Sequence, residues 1–292
     1  MDKTYGGAAP PKKVTVPDIR ARKGTGPAIA MVTAYDFTMA RLIDEAGVDL
    51  ILVGDSLGMI VQGLANTLPV TLDEMCYHGR AVARGTEHAH LVGDLPFMSY
   101  QSSPTRALDS AGKLLKEGGF ESVKLEGGEE VAEHIWRMTR AGIPVMGHVG
   151  LQPQSVHALG GFRVQGRGQT GASKIVNDAR ALERAGANAI VLEAVPPDVA
   201  AQVTQSVGIP TIGIGAGSGC DGQVLVCTDM LGMSRGHLPK FTKRYAQLGD
   251  AIVDATRQYV AEVRSRAFPD AEHAYRANEP PDRLPADADA RH

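Results

Sequence analysis

Short apolar runs alternate with longer amphipathic segments through most of the chain. The apolar runs are rich in β-branched residues and bounded by Gly, Pro or Asp, which is typical of buried parallel strands. They occupy residues 29–35, 50–54, 91–93, 122–125, 144–147, 189–192, 210–214 and 223–227. Helical periodicity lies between them, most clearly at residues 37–46, 72–84, 104–117, 129–140 and 172–185. The pattern predicts a repeated βα unit.

Glycine residues lie at the ends of several predicted helices in this repeat. Gly47, Gly119, Gly142 and Gly186 each stand where a predicted helix needs a left-handed residue at its C-cap. Eight strands that alternate with helices predict an α/β fold of the (β/α)₈ TIM-barrel type. An open, doubly wound sheet is the alternative, because periodicity does not show whether the sheet closes.

One domain accounts for most of the 292 residues. Residues 14–267 are predicted to form the barrel, preceded by a short N-terminal arm at residues 1–13. Residues 268–292 contain six acids, three arginines and four prolines but few large apolar side chains. We expect this acidic C-terminal tail to be disordered.

Charge and cysteine content narrow the class of protein. A formal net charge of −3 argues against nucleic acid as a partner, since phosphate binding requires a basic surface. No apolar run approaches the ~20 residues of a membrane helix, and no signal peptide is recognised. Cys76, Cys220 and Cys227 form no CxxC pair, which suits a reducing compartment. We predict a cytoplasmic protein without a membrane partner.

One segment interrupts the alternation of strands and helices. Residues 151–171 show neither strand nor helix period, but contain several glycines together with Arg163 and Arg167. Long irregular segments in compact domains are commonly functional lids, and the alternative is a flexible loop without such a role. Because this segment follows the fifth strand, we expect it to cover the catalytic face of the barrel.

Ionisable residues collect where the predicted strands end. Asp55 and Asp94 follow the second and third strands, and Glu193 ends the sixth. Lys124 and Glu126 are two residues apart on the fourth strand and therefore face the same way. Barrel enzymes place their chemistry at this end of the strands. We therefore expect four carboxylates and one lysine in one barrel mouth.

Four carboxylates in a low-dielectric mouth repel one another. Such a cluster either raises a pKa or holds a cation, and oxygen ligands favour Mg²⁺. The alternative is that each aspartate only caps the following helix. His148, at the end of the fifth strand, is a second-tier candidate, because a lone strand-end histidine is more often a packing residue.

Several segments, in their order along the chain, resemble the ketopantoate hydroxymethyltransferase family, also called 3-methyl-2-oxobutanoate hydroxymethyltransferase. They are residues 31–36 (MVTAYD), 53–58 (VGDSLG), 92–97 (VGDLPF), 123–128 (VKLEGG), 147–154 (GHVGLQPQ) and 212–217 (IGIGAG) followed by 220–223 (CDGQ). The resemblance runs from about residue 14 to residue 267, and the set in this order is specific.

The resemblance implies a (β/α)₈ barrel that holds one Mg²⁺ per subunit and assembles into a large homo-oligomer, a homodecamer. The implied reaction transfers a hydroxymethyl group from the co-substrate 5,10-methylenetetrahydrofolate to 3-methyl-2-oxobutanoate. The product is 2-dehydropantoate (ketopantoate), an intermediate of pantothenate biosynthesis. The oxoacid would chelate Mg²⁺, which would stabilise the enolate formed when a base removes the C3 proton.

The resemblance also implies residue roles. Asp55 and Asp94 match metal ligands, and Glu126 matches the third acidic group of the metal site. The residues that match the oxoacid contacts are Asp55, Ser56, Asp94 and Lys124. Glu193 matches the proton acceptor. Two alternatives are a metal-dependent lyase of the phosphoenolpyruvate mutase and isocitrate lyase type, and a non-catalytic barrel scaffold.

Overall fold

Eight parallel strands close into a barrel in the computed structural model, which describes residues 12–236 and 238–275. Each strand pairs with the next one along the chain, and the eighth pairs with the first. The strands are β1 Ile29–Thr33, β2 Leu50–Val53, β3 His90–Asp94, β4 Ser122–Glu126, β5 Val145–Gly150, β6 Ala189–Glu193, β7 Thr211–Ile214 and β8 Gly222–Leu225. This closure confirms the predicted (β/α)₈ barrel and excludes the open sheet.

Helices follow most of the strands and pack around the barrel. In the described residues the helices are α1 Val16–Ala21, α2 Phe37–Glu45, α3 Leu57–Ile60, α4 Leu72–Arg84, α5 Pro104–Lys113, α6 Ala132–Arg140, α7 Val156–Leu159, α8 Gly168–Arg184, α9 Pro197–Ser206, α10 Cys227–Met230 and α11 Leu248–Ser265. A π-helical turn, Leu114–Gly118, extends α5, and 3₁₀ turns at Glu129–Val131 and Pro153–Ser155 precede α6 and α7. In this part of the chain no helix has the length and hydropathy to cross a membrane.

Alternate side chains along each strand fill the inside of the barrel, because successive residues of a strand point to opposite faces. The inward-facing apolar residues form a separate cluster of Ile29, Met31, Leu50, Leu52, Val92, Met146, Ala189, Val191, Ile212 and Val224. Val14 and Ile19 join this cluster, so α1 closes the end of the barrel where the strands begin. The other side chains of the strands pack beneath the helices.

The segment predicted to be irregular contains more helix than expected. Its first part holds the 3₁₀ turn Pro153–Ser155 and the single-turn helix α7, and α8 begins at Gly168, four residues before the predicted start at residue 172. Gly168 and Gly171 made the start of α8 hard to recognise in the sequence, since glycine has low helix propensity. We call residues 151–167 the lid loop, and its role as a lid stays a prediction.

Helix α11 does not cover the barrel. Gly249 is its one buried residue, although the helix runs for 18 residues. The outward-facing residues Ala30 of β1 and Gln223 of β8 are neighbours in the sheet, and both are exposed. The seam between β8 and β1 is therefore uncovered at the position where an eighth helix would pack.

Two predictions fall largely on residues that the structure does not describe. The N-terminal arm was predicted at residues 1–13, of which residues 12 and 13 are described. The disordered acidic tail was predicted at residues 268–292, and the part beyond residue 275 lies outside the described residues. Both stay predictions.

Candidate active site

The inside of the barrel changes from apolar to ionisable where the strands end. The inward-facing rows that carry Val92, Met146 and Val191 continue into polar side chains. The residues at the ends of these rows are Asp94 on β3, Lys124 and Glu126 on β4, His148 on β5 and Glu193 on β6. Asp55 joins them from the turn after β2. All are buried except Glu193, whose side chain is 19% exposed at the rim.

The two aspartates are in direct contact. The backbone N–H of Asp55 donates to Asp94 Oδ2 at 3.0 Å, and Lys124 Nζ lies 2.9 Å from Asp94 Oδ1. Gly54 permits this approach, because a Cβ there would lie 2.7 Å from Ser56 Oγ and 3.4 Å from Asp94 Oδ2. The structure thus brings Asp55, Asp94 and Lys124 together as predicted.

Gln154, in the first turn of the lid loop, contacts two of the acids. Its side-chain Nε2 donates to Asp55 Oδ2 at 2.8 Å and to the Leu95 carbonyl at 3.0 Å. Its backbone N–H donates to Glu126 Oε2 at 3.0 Å. Asp55 therefore binds the lid loop, and α3 has no side-chain cap. This contact argues against the alternative in which Asp55 only caps a helix.

The orientation of the Gln154 amide is fixed by its neighbours. Its Oε1 accepts from Gln101 Nε2 at 2.9 Å and lies 2.9 Å from the hydroxyl of Tyr100. Since the other end of the amide faces only acceptors, the Asp55 carboxylate and the Leu95 carbonyl, the NH₂ group must lie there. Both polar atoms of the buried amide have partners, so the residue holds the Asp55 carboxylate in one position.

Three uncharged polar residues of the site are absent from the residues singled out by sequence. Gln154 and Tyr100 contact Glu126, and the Tyr35 hydroxyl lies 2.9 Å from Ser56 Oγ. Burial raises the pKa of Tyr35, which keeps its hydroxyl neutral. Gln154 and Tyr35 lie inside the segments that carry the resemblance, so their place there was the available signal.

The buried acids have too few positive partners. Burial, and then the charge of Asp94, raises the pKa of Asp55 to about 7. Burial, and then Asp55, raises the pKa of Glu126 well above its usual range. Burial alone would lower the pKa of Lys124, but the surrounding carboxylates raise it above its ordinary value. One ammonium group therefore faces several carboxylates, which leaves the mouth short of positive charge.

His148 connects Lys124 with Glu193. Its Nδ1 lies 3.4 Å from Lys124 Nζ, and its Nε2 lies 3.2 Å from Glu193 Oε2 without the alignment of a hydrogen bond. Burial, and then the nearby Lys124 charge, lowers the pKa of His148. Because the ammonium donates to Nδ1, the neutral ring carries its proton on Nε2, towards Glu193.

A divalent cation fits this donor set. Asp94 Oδ1 is buried and, although close to Lys124, has no well-aligned hydrogen-bond donor among the described residues. Nowhere in the described ranges do three or more His, Cys, Asp or Glu side chains converge in a complete metal cage. Mg²⁺ commonly takes one or two carboxylates together with water and substrate oxygens. Asp55 and Asp94 can supply the two carboxylates, and the ligand role of Glu126 stays a prediction.

Solved structures with the same fold are distant in sequence. The chain is similar to a phosphonopyruvate hydrolase, with a TM-score of 0.58 and 17% identity over 91% of this chain and 92% of that one. It is also similar to a 2,3-dimethylmalate lyase of the phosphoenolpyruvate mutase and isocitrate lyase superfamily, with a TM-score of 0.55 and 17% identity over 91% and 92% of the two chains. At this identity the likeness concerns the fold alone.

Other relatives are much closer in sequence. A 3-methyl-2-oxobutanoate hydroxymethyltransferase of Syntrophus aciditrophicus is 54% identical over 90% of this chain and 97% of that protein. A protein of the same name from Oleidesulfovibrio alaskensis is 56% identical, covering 90% of this chain and 91% of that protein. The family model for ketopantoate hydroxymethyltransferase matches residues 13–271. The chain belongs to the ketopantoate hydroxymethyltransferase family.

Proposed function

We propose that this protein transfers a hydroxymethyl group from 5,10-methylenetetrahydrofolate to 3-methyl-2-oxobutanoate. The product is 2-dehydropantoate, an intermediate of pantothenate biosynthesis. The observation that carries the proposal is the contact of Asp55, Asp94 and Lys124 in the barrel mouth, with Glu193 at its rim. Relatives that share more than half of the sequence carry the name of this activity. Residues 14–267 form the catalytic domain in this proposal.

The mouth suits an α-oxo acid. Lys124 provides a permanent positive charge for its carboxylate or keto oxygen, since the surrounding acids keep the ammonium protonated. With the Tyr35 hydroxyl as donor to Ser56 Oγ, the Ser56 hydroxyl donates to a second oxygen of the oxoacid. Asp55 and Asp94 would hold a divalent cation, which would supply Lewis-acid stabilisation for the negative charge that develops on the oxoacid during the reaction.

Glu193 is the proposed general base. It is the least buried of the four acids, and neither Lys124 nor Gln154 hydrogen-bonds to its carboxylate in the described structure. Its carboxylate takes the C3 proton of the oxoacid, and the resulting carbon nucleophile forms a bond to the methylene carbon of the folate. Both C–N bonds of that carbon break with uptake of one water molecule, so that the new carbon carries a hydroxyl group and tetrahydrofolate leaves. His148 Nε2 lies 3.2 Å from this carboxylate and is its nearest ring nitrogen.

A coupled assay tests the proposed function. The protein, Mg²⁺, 3-methyl-2-oxobutanoate and 5,10-methylenetetrahydrofolate should yield 2-dehydropantoate and tetrahydrofolate in equal amounts, measured by mass spectrometry. Omission of the folate should stop product formation, whereas a lyase would cleave its substrate without folate. Cleavage of an oxoacid in the absence of folate would contradict the proposal in favour of the lyase alternative.

We also propose that the chain self-associates through α11. An apolar stripe of this helix is uncovered and comprises Leu248, Ile252, Tyr259 and Val263, spaced as on one helical face. The bare seam at Ala30 and Gln223 lies on the barrel of the same chain. If two copies exchanged α11, the helix of each copy would pack on the barrel of the other. This exchange would cover the apolar stripe and the bare seam together. Assembly of ten subunits and a cytoplasmic location stay predictions.

The Ile252→Glu substitution tests this assembly. Ile252 is 51% exposed in the single chain, and its burial in a partner would contribute ~1.5–3 kcal/mol per copy. We expect the wild-type protein to sediment as an oligomer and the variant to shift towards smaller species. Gln258→Glu, on a polar position of the same helix, should leave the mass unchanged. A monomeric wild-type protein would overturn the proposed self-association.

A further inference from the structure

A short loop beyond α10 lies on the same side of the barrel as the acidic cluster. We call residues 238–247 the basic loop. Its backbone is anchored to α10, because the Tyr245 N–H donates to the Met230 carbonyl at 2.8 Å. Its Phe241 ring packs against Gly215, which directly follows β7 and has a φ of +66°. A Cβ at Gly215 would lie 2.5 Å from this ring, so glycine is required there.

The basic loop presents unneutralised positive charge. It contains Lys240, Lys243 and Arg244 but no acid, although the whole chain has a net charge of −3. All three side chains are exposed, and none forms an ion pair with a carboxylate that the structure describes. Lys243 Nζ lies 4.5 Å from the centre of the Tyr245 ring, which leaves its charge accessible to a ligand.

The lid loop also carries positive charge without ion pairs, and it lies close to the basic loop. It also contains no acid, and Arg163 and Arg167 are exposed without an ion pair in the described structure. Its Gln165 N–H donates at 2.9 Å to the carbonyl of Ala194, the residue after Glu193. The lid loop thus contacts the end of β6, and the basic loop contacts the end of β7. Since β6 and β7 are paired, the two loops flank the part of the mouth nearest to Glu193.

We propose that the basic loop and the lid loop together form a subsite for a carboxylate-rich anionic tail, the glutamate chain of the folate co-substrate. The inside of the mouth is acidic and repels such a tail, whereas the rim beside Glu193 attracts it. The exposed rings of Phe241 and Tyr245 add flat apolar surface between the charges. The tail lies far from the reacting methylene carbon, so the subsite serves binding and leaves the chemical step unaffected. This inference rests on the proposed function.

The experiment compares 5,10-methylenetetrahydrofolate carrying one glutamate with the same molecule carrying three. The wild-type protein should have the lower KM for the triglutamate form. The combined variant Lys240→Ala, Lys243→Ala and Arg244→Ala should raise that KM roughly tenfold, because each exposed ion pair contributes a factor of about two. The KM for the monoglutamate form should change less. The kcat, the KM for 3-methyl-2-oxobutanoate and the exchange of its C3 proton should not change.

A matched variant controls for the loss of charge. Arg84→Ala, Lys116→Ala and Arg140→Ala remove three exposed bases from the far ends of helical segments, away from the mouth. This variant should keep the wild-type preference for the triglutamate form. An unchanged preference in the basic-loop variant, or equal losses in both variants, would overturn the subsite. Absence of folate-dependent product with the wild-type protein would instead overturn the proposed function, and the subsite with it.

Discussion

Glu193→Gln is expected to abolish exchange of the C3 proton of 3-methyl-2-oxobutanoate with deuterium from the solvent. The substitution keeps the size of the side chain but removes its basicity. Loss of a general base typically costs ~10²–10⁴-fold in rate. The exchange can be followed by proton NMR in D₂O with Mg²⁺ and without folate, so the measurement isolates the step assigned to Glu193.

Binding of the oxoacid should survive this change. Glu193 lies at the rim, 3.2 Å from His148, and Asp55, Asp94 and Lys124 remain in place. Calorimetry with Mg²⁺ should therefore give nearly the wild-type affinity. Glu133→Gln, the same substitution at an exposed residue of α6, is the matched control and should leave the exchange rate intact. Undiminished exchange in Glu193→Gln would show that another group removes the proton.

The barrel and much of its site were predictable, because the spacing of apolar and polar residues within each segment indicates where a strand lies and which of its side chains face inward. A buried parallel strand shows up as a short apolar run, and its period of two decides which side chains share a face. Lys124 and Glu126 were placed in the mouth on this basis, and both are inward-facing and buried. Closure of the sheet was not readable from any single segment, since open and closed sheets share the same βα repeat.

Other features depend on contacts between distant residues. Gln154 acquires its role only when the lid loop folds back onto Asp55, which is 99 positions earlier in the chain. An uncharged glutamine in an irregular segment gives no electrostatic or periodic signal of that contact. The apolar face of α11 is a second example. Its helical periodicity predicts that the face is buried, but not whether it packs on the barrel of the same chain or on that of another copy. The single chain leaves that face exposed.

Asp94→Asn should strongly weaken the binding of a divalent cation in the presence of the oxoacid. The amide keeps one oxygen that can accept the Asp55 N–H, but its NH₂ group then replaces the oxygen that faces Lys124. What is lost is one of two adjacent negative charges, in a site where burial strengthens each electrostatic interaction. We expect a loss of affinity of more than about 100-fold, measured with Mn²⁺ by electron paramagnetic resonance. The Mg²⁺ concentration needed for C3 exchange should rise in parallel.

Gln154→Met provides a graded comparison, because Gln154 orients Asp55 and does not itself supply a cation ligand in this proposal. Loss of residues that orient ligands typically costs 10–100-fold in metal affinity. The variant should therefore bind Mn²⁺ more weakly than the wild type but more tightly than Asp94→Asn. Gln152→Met, two residues away in the same loop, should bind Mn²⁺ normally. Wild-type Mn²⁺ affinity in Asp94→Asn would show that Asp94 is not a ligand. A larger loss of Mn²⁺ affinity in Gln154→Met than in Asp94→Asn would show that the cation lies beside Asp55 and away from Asp94.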